Sequence, residues 1–294
     1  MSWTYFWPSF AAAASVLVIL LVITLCFNLM LGLVVFALYN ICPKDVLFDR
    51  IVGLFRNLEI EEHLKDTFQI RVKHELPTTA LYVWQPHGLL SITSVLYNSG
   101  ILTNPTFKQT HGALLSFCHY IPVMGDIVRY MNSIPSDASS IRKALNAHES
   151  VSVMVGGVRD MLDSQPHMIT IPKRNGVFRI ALQTGTPVVP VLTYGENERF
   201  PPAKQWLTDA INEWLYKHFH FAFPFPSWTA LQNWSELSYK SIKPIHSYTG
   251  TPIHVEKNEN PTDADIDKVR TAYIRAVQEL FKETAPPEYS LVVL

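Results

Sequence analysis

The first stretch with the residue types for chemistry is Leu81-Tyr82-Val83-Trp84-Gln85-Pro86-His87-Gly88, where an apolar run stops at Pro-His-Gly. Histidine takes up a proton near neutral pH without special tuning. Pro86 restricts the turn, and Gly88 permits a sharp bend or the close approach of a ligand. With the apolar run read as a buried strand, His87 stands at its carboxyl end, where open α/β sheets bind ligands. Three more polar groups follow apolar runs in the same way. Residues 151–155 lead into Gly156-Gly157-Val158-Arg159-Asp160. Residues 168–171 lead into Pro172-Lys173-Arg174-Asn175-Gly176, and residues 187–194 into Gly195-Glu196-Asn197-Glu198. The carboxyl ends of parallel strands lie along one edge, so His87, Asp160, Arg174 and Glu196–Asn197 are expected to meet in one cleft.

Helical patterns separate these strands. Residues 89–97 follow the His87 turn at once. Residues 45–66 place Val46, Ile51, Leu54, Phe55 and Leu58 on one side of a helix. Residues 112–121 form a second apolar stretch and 124–131 a short helix. Ser136-Asp137-Ala138-Ser139 supplies a start signal for a helix over 138–148, and the pattern over 177–183 stops at Gly185. A strand pair is expected over 247–255. Thr262-Asp263-Ala264-Asp265 then caps a closing helix with Ile266, Val269, Tyr273, Val277 and Leu280 on its buried face. Strands alternating with helices at short spacing predict an α/β fold, a mostly parallel or mixed sheet flanked by helices.

Residues 203–234 carry Trp206, Trp214, Phe219, Phe221, Phe223, Phe225, Trp228 and Trp234. Trp206, Ile211, Trp214, Leu215 and His218 suggest one striped helix. Contact with the bilayer interface or with acyl chains is favoured here over ordinary core.

The 294 residues carry a net charge of −1, with no basic block, which argues against nucleic acid as a partner. Cys26, Cys42 and Cys118 are scattered and odd in number, so no disulfide framework is expected and a reducing compartment is. No zinc-type spacing occurs, and no metal is expected. Before Lys44 there is no Asp, Glu, Lys, Arg or His, and residues 10–39 are almost wholly apolar. The cation-free start distinguishes this stretch from a signal peptide. As one helix it would run about 45 Å against a hydrocarbon core of about 30 Å, so it is expected to tilt or to fold back at Asn28 and Gly32. Trp3, Tyr5, Phe6 and Trp7 fit an interfacial anchor. Lys44, Arg50 and Arg56 put the remainder on the cytosolic side. The expected organisation is a membrane-embedded segment over 1–43 and a cytosol-facing domain over 44–294.

In combination and order, these motifs resemble the type-2 diacylglycerol acyltransferases and their monoacylglycerol acyltransferase relatives, over nearly the whole chain. Gln85-Pro86-His87-Gly88 is similar to the family's His-Pro-His-Gly, and Val155-Gly156-Gly157-Val158-Arg159-Asp160 to its Gly-Gly-Ala-Ala-Glu. Residues 173–182 resemble its basic segment, Gly185 to Asn197 is the nearest match, and Gly250-Thr251-Pro252-Ile253 parallels its Gly-Arg-Pro-Ile. The chain departs from the pattern at Gln85 for the first His and at Asp160 for Glu. Ile134-Pro135-Ser136-Asp137 lacks the usual Arg, and Ile92 stands where the wider glycerolipid acyltransferases carry Asp.

The resemblance implies transfer of a fatty acyl group from acyl-CoA, as co-substrate and without a cofactor, to an alcohol. Diacylglycerol is the working acceptor, with monoacylglycerol or a long-chain alcohol as alternatives. It also implies an endoplasmic reticulum membrane location, and self-association is left open. Its chemistry needs a base (His87), a group that fixes the base's tautomer (Asp160, with Glu196 as alternative) and oxyanion donors near Gly88 or Gly156–Gly157. Cations for the donor's phosphates fall to Lys173, Arg174 and Arg179, and Asn197 joins Glu196 among the substrate-binding positions. Glu196 is equally readable as a turn anchor that binds backbone amides. The competing chemistries are a lipase, which would need a Gly-x-Ser-x-Gly elbow that the chain lacks, and a non-catalytic lipid-binding protein.

Overall fold

A computed structural model of the chain describes residues 28–34, 37, 60–102, 104, 107, 110–121, 124–237 and 239–294. The chain divides into two compact units, Met1–Ile51 and Val52–Leu294. Within the first, residues 28–34 are helical with exposed side chains. Among the described residues no helix is long and apolar enough to cross a membrane. Most of the predicted membrane segment, like most of the helix expected over 45–66, lies outside them.

The second unit runs α1 (Ile60–Thr67), β1 (Phe68–Arg71), β2 (Leu81–Gln85), α2 (Ile92–Asn98), β3 (Thr110–Leu114), α3 (Met124–Tyr130) and β4 (Ser133–Pro135). It continues through α4 (Ala138–Asn146), β5 (Ser150–Met154), α5 (Gly157–Asp163), β6 (Met168–Ile171), α6 (Gly176–Thr184) and β7 (Val188–Tyr194). Then come α7 (Glu196–Arg199), α8 (Trp206–Phe219), α9 (Trp228–Glu236), β8 (Ile245–Thr249), α10 (Asp263–Thr284) and β9 (Ser290–Val293).

Seven strands make one mixed sheet in the order β1-β8-β7-β2-β5-β3-β4. Every pairing in it is parallel except β7 with β8. β2 sits between β7 and β5 and is buried along its whole length. Successive side chains of a strand point to opposite faces, and β2 and β7 use both. Leu81, Val83, Val188 and Leu192 join a core with α4, α6 and α10. Tyr82, Trp84, Val189 and Val191 join a second core under α2 and α9. A sheet covered by helices on both faces explains why these strands read as continuous apolar runs.

Local signals end the elements as physical chemistry requires. Asp137 accepts from the main-chain N–H groups of Ser139 and Ser140 and starts α4. Gly185 closes α6 at φ 69°, a left-handed position that suits glycine. Thr262 and Asp265 form a reciprocal capping box on α10. The five residues predicted for the buried face of α10 are all buried.

Three expectations need correction. α2 begins at Ile92 rather than at residue 89, because Ser91 is left-handed at φ 46° and breaks the helical run. β6 leaves the main sheet and pairs in parallel with β9, a four-residue C-terminal strand that follows Pro286-Pro287 and was not expected. The pair expected over 247–255 is one strand, β8, followed by a single bridge from Ile253 back to Val188.

The aromatic region is largely on the surface. Trp206 and Trp228 are 81% and 80% exposed, and Trp214, Phe219 and Trp234 are more than half exposed. α8 buries only Asn212, whose side chain is bonded at both ends to the main chain of Phe223.

Ile266 is fully buried where α10 meets the sheet. Ile266→Ala is expected to cost about 2–5 kcal/mol of stability, read as a lower midpoint in chemical unfolding of the purified chain.

Candidate active site

His87 lies in the turn between β2 and α2, and four hydrogen bonds hold it. Its main-chain N–H donates to Asp160 Oδ2 at 3.1 Å. Its carbonyl accepts from the Ser91 N–H at 3.0 Å and from Ser91 Oγ at 2.7 Å. Its ring Nδ1 lies 3.0 Å from the Gly88 carbonyl oxygen. A carbonyl can only accept, so Nδ1 carries the proton and Nε2 the free lone pair. Burial lowers the imidazole pKa below its ordinary value, against the pull of the Gly88 and His87 carbonyls. The ring is therefore neutral at neutral pH.

The expected contact between Asp160 and the ring is replaced by one to the main chain, and Glu196 does not reach the ring either. α5 starts at Gly157, and Asp160 on its first turn points at the His87 turn. This carboxyl is buried, and the loss of hydration pushes its pKa up to about 6 even though the His87 N–H stabilises the charge. Gly156 has φ 112°, and a Cβ there would run into the Asp160 side chain at 2.6 Å, so any other residue would be strained and would displace Asp160. Gly157 is also left-handed, at φ 57°, but has open space beside it.

Glu196 and Asn197 reach the same turn from the end of β7. Glu196 is buried and accepts from the Ile92 N–H (2.6 Å), the Thr93 N–H (3.2 Å) and Thr93 Oγ1 (2.6 Å). It supplies the cap for α2 that Ser91 does not, so the turn-anchor alternative describes its contacts. Burial raises its carboxyl pKa, and the three donors oppose that shift. Asn197 donates to the Gln165 carbonyl at 3.2 Å, and its buried Oδ1 has no hydrogen-bond partner among the described residues. That oxygen occupies the space where a Cβ on Gly88 would lie, and Gly88 has φ 56°.

Asp160 thus contacts both His87 and Gly156, Asn197 contacts Gly88, and Glu196 holds the adjoining start of α2. Arg174 and Arg179 are not part of that group. Because β6 lies outside the main sheet, Arg174 faces a neighbouring cavity of about 620 Å³ together with Arg179, Gly156 and Gly157. His87 does not line it. Arg179 also pairs with the exposed Asp263 at 3.2 Å.

The residues that sequence reasoning missed are polar groups at buried positions. Gln85 is fully buried; its amide donates to the Thr170 carbonyl (2.9 Å) and its Oε1 accepts from Tyr273 (3.1 Å). It ties the His87 turn to β6 and α10. Ser91 and Thr93 secure the turn and the start of α2. Their one signal was a set of small hydroxyl residues in an otherwise apolar helical run. Arg142 on α4 lines the arginine cavity and gave no signal beyond its charge.

The profile of the family described as Diacylglycerol acyltransferase matches residues 19–290. The human 2-acylglycerol O-acyltransferase 1 is 28% identical over 81% of this chain and 77% of its own length. The bovine 2-acylglycerol O-acyltransferase 1 is 30% identical over 78% and 73%. The human Diacylglycerol O-acyltransferase 2 is 27% identical over 77% of this chain, which spans 63% of that protein. Among solved structures, the 1-acyl-sn-glycerophosphate acyltransferase of Thermotoga maritima aligns over 78% of this chain and 80% of its own, at 16% identity and a TM-score of 0.45. With the family profile matched along most of its length, this chain belongs to the diacylglycerol acyltransferase family and is an acyltransferase that acts on glycerolipids.

Proposed function

We propose that the chain esterifies diacylglycerol to triacylglycerol with acyl-CoA as donor and His87 as base. The observation that carries this reading is the His87 ring with Nδ1 engaged by the Gly88 carbonyl, which leaves Nε2 free to take a proton. The acceptor hydroxyl gives its proton to Nε2 as its oxygen attacks the thioester carbonyl, and a C–O bond forms. The tetrahedral oxyanion collapses, the C–S bond breaks, and the thiolate leaves. A thiolate with a pKa near ~8.5 needs little assistance, and the imidazolium returns the proton. The Gly88 carbonyl and the nearby Asp160 carboxylate stabilise the imidazolium. Gly88, Gly156 and Gly157 are the positions from which main-chain N–H groups serve the oxyanion. Asp160 and Glu196 act on the turn that carries His87, and the Asn197 side chain packs against Gly88 beside it.

Monoacylglycerol is the second reading for the acceptor, supported by the names of the human and bovine relatives. Both acceptors are bilayer-soluble. Residues 1–43 are read as the membrane-embedded segment and 44–294 as the catalytic domain, on the cytosolic face of the endoplasmic reticulum. The exposed tryptophans of α8 and α9 are read as a second contact with the bilayer interface, where aromatic side chains accumulate.

Three outcomes test this. Membranes carrying the wild type and His87→Ala are given labelled acyl-CoA with diacylglycerol, monoacylglycerol or fatty alcohol. The wild type is expected to esterify diacylglycerol, the variant to lose roughly 10²–10⁴ in rate, and the preferred acceptor is named directly. With the imidazole pKa lowered, kcat/KM is expected to hold at neutral pH and to fall only below about pH 6.5.

Asp160 has a folded pKa of about 6, above its unfolded value of 3.8, so the native state binds the extra proton between these limits. Its contribution to stability is fully present below pH 3.8 and is lost as pH rises through about 6. Asp160→Asn is expected to flatten that part of the stability–pH curve, measured by chemical unfolding. Finally, Trp206→Ser and Trp214→Ser are each expected to weaken binding to neutral liposomes by roughly tenfold, measured by co-flotation.

A further inference from the structure

The cavity beside the His87 site has an unusual lining. Arg142, Arg159, Arg174 and Arg179 face it, and among the described residues no Asp or Glu does. Two of these cations are neutralised from outside it. Arg159 pairs with Asp163 at 2.8 Å and with Glu213 at 3.4 Å, and Arg179 pairs with Asp263. The other two are not. Among the described residues Arg142 donates only to the neutral Gln183 Oε1, at 3.2 Å, and the Arg174 guanidinium has no carboxylate partner. Asp137 lies near Arg142 in sequence, but its carboxylate is turned onto Ser139 and Ser140 of its own helix.

A second feature faces the same space. α6 starts at Gly176 on the cavity wall, and its N-cap, Asn175, makes no side-chain cap bond. The first residues of this nine-residue helix, Gly176 and Val177, thus line the cavity uncapped by the Asn175 side chain, and a helix start carries unpaired N–H groups that suit an anion. Two guanidinium groups and a helix start, over a floor that includes Val153, Val155, Ile141 and Ile180, suit an amphiphile whose anionic part is a phosphate ester.

We propose that Arg142 and Arg174, with the start of α6, bind the phosphates of the acyl donor, so that this chain selects phosphate-bearing thioesters. This rests on the acyl-CoA reading above and adds Arg142 as a specificity-determining residue. A long flexible arm separates the thioester of such a donor from its phosphates. A phosphate site that excludes His87 but adjoins it through Gly156 and Asp160 is consistent with that geometry.

The test compares two donors in neutral detergent micelles with the full-length chain: palmitoyl-CoA, and the palmitoyl thioester of N-acetylcysteamine, which has no phosphate. Arg142→Gln is expected to raise KM for palmitoyl-CoA about tenfold with kcat within about twofold, and to leave the phosphate-free thioester unaffected. Arg142→Lys recovers part of the loss, and Arg174→Gln behaves like Arg142→Gln. Equal effects on both donors, or none on either, would overturn the inference and leave the His87 reading standing. If the wild type turns over neither thioester, the acyl-CoA reading fails. Calorimetry with coenzyme A alone then decides the site: binding lost in Arg142→Gln keeps it, and no binding by the wild type removes it. A phosphate site for lipid headgroups instead would appear as phosphatidylglycerol competing with palmitoyl-CoA in the wild type but not in Arg142→Gln, and that also overturns the donor assignment.

Discussion

The site depends on a buried carboxylate. Glu196 leaves the end of β7 and accepts three hydrogen bonds from Ile92 and Thr93 at the start of α2. An ionised carboxylate taken out of water costs several kcal/mol unless donors replace its hydration. Here the N–H groups of a helix start replace it, and those same groups would otherwise be unsatisfied. Each partner answers the other's deficit. The result links the ends of two neighbouring strands, β2 and β7, and places the turn between β2 and α2. His87 is carried on that turn.

Asp160 supports the turn from the opposite side, from β5 and α5, by accepting the His87 N–H. Gln85 reaches a third direction, to β6 and α10. The histidine is therefore held through its backbone by several elements, while its ring is held only through Gly88. This division suits a base: the main chain is immobilised, and Nε2 is left unencumbered. It also gives glycine two separate tasks. Gly88 yields space to Asn197, and Gly156 yields space to Asp160.

The cationic group stands apart for a topological reason. Arg174 follows β6, and β6 pairs with β9 rather than with the main sheet. Arg142 comes from α4 on the same face of the sheet, so cations from two helical segments meet over one apolar floor. Base and cations are neighbours across α5, whose first residues belong to both surroundings.

Much of this was legible in the chain. Largely apolar runs at 81–85, 150–154 and 188–194 marked strands covered on both faces, and their buried polar members Gln85, Ser152 and Thr193 are each hydrogen-bonded. Thr262 and Gly185 marked helix ends, because unpaired backbone groups and left-handed angles limit which residues fit. The motif order carried the family, and the end of a strand was the place to expect His87. What the chain alone determined was which segments form strands and helices and which polar residues stand at their ends, since those follow from burial period and local backbone chemistry. Which of these groups touch was decided by tertiary structure. Asp160 meets the His87 main chain and not its ring, Glu196 caps a helix 104 residues earlier, and β9 draws β6 and Arg174 away from the sheet edge. Those contacts depend on strand order and on hydrogen-bond demand between segments far apart in sequence, and no local pattern encodes either.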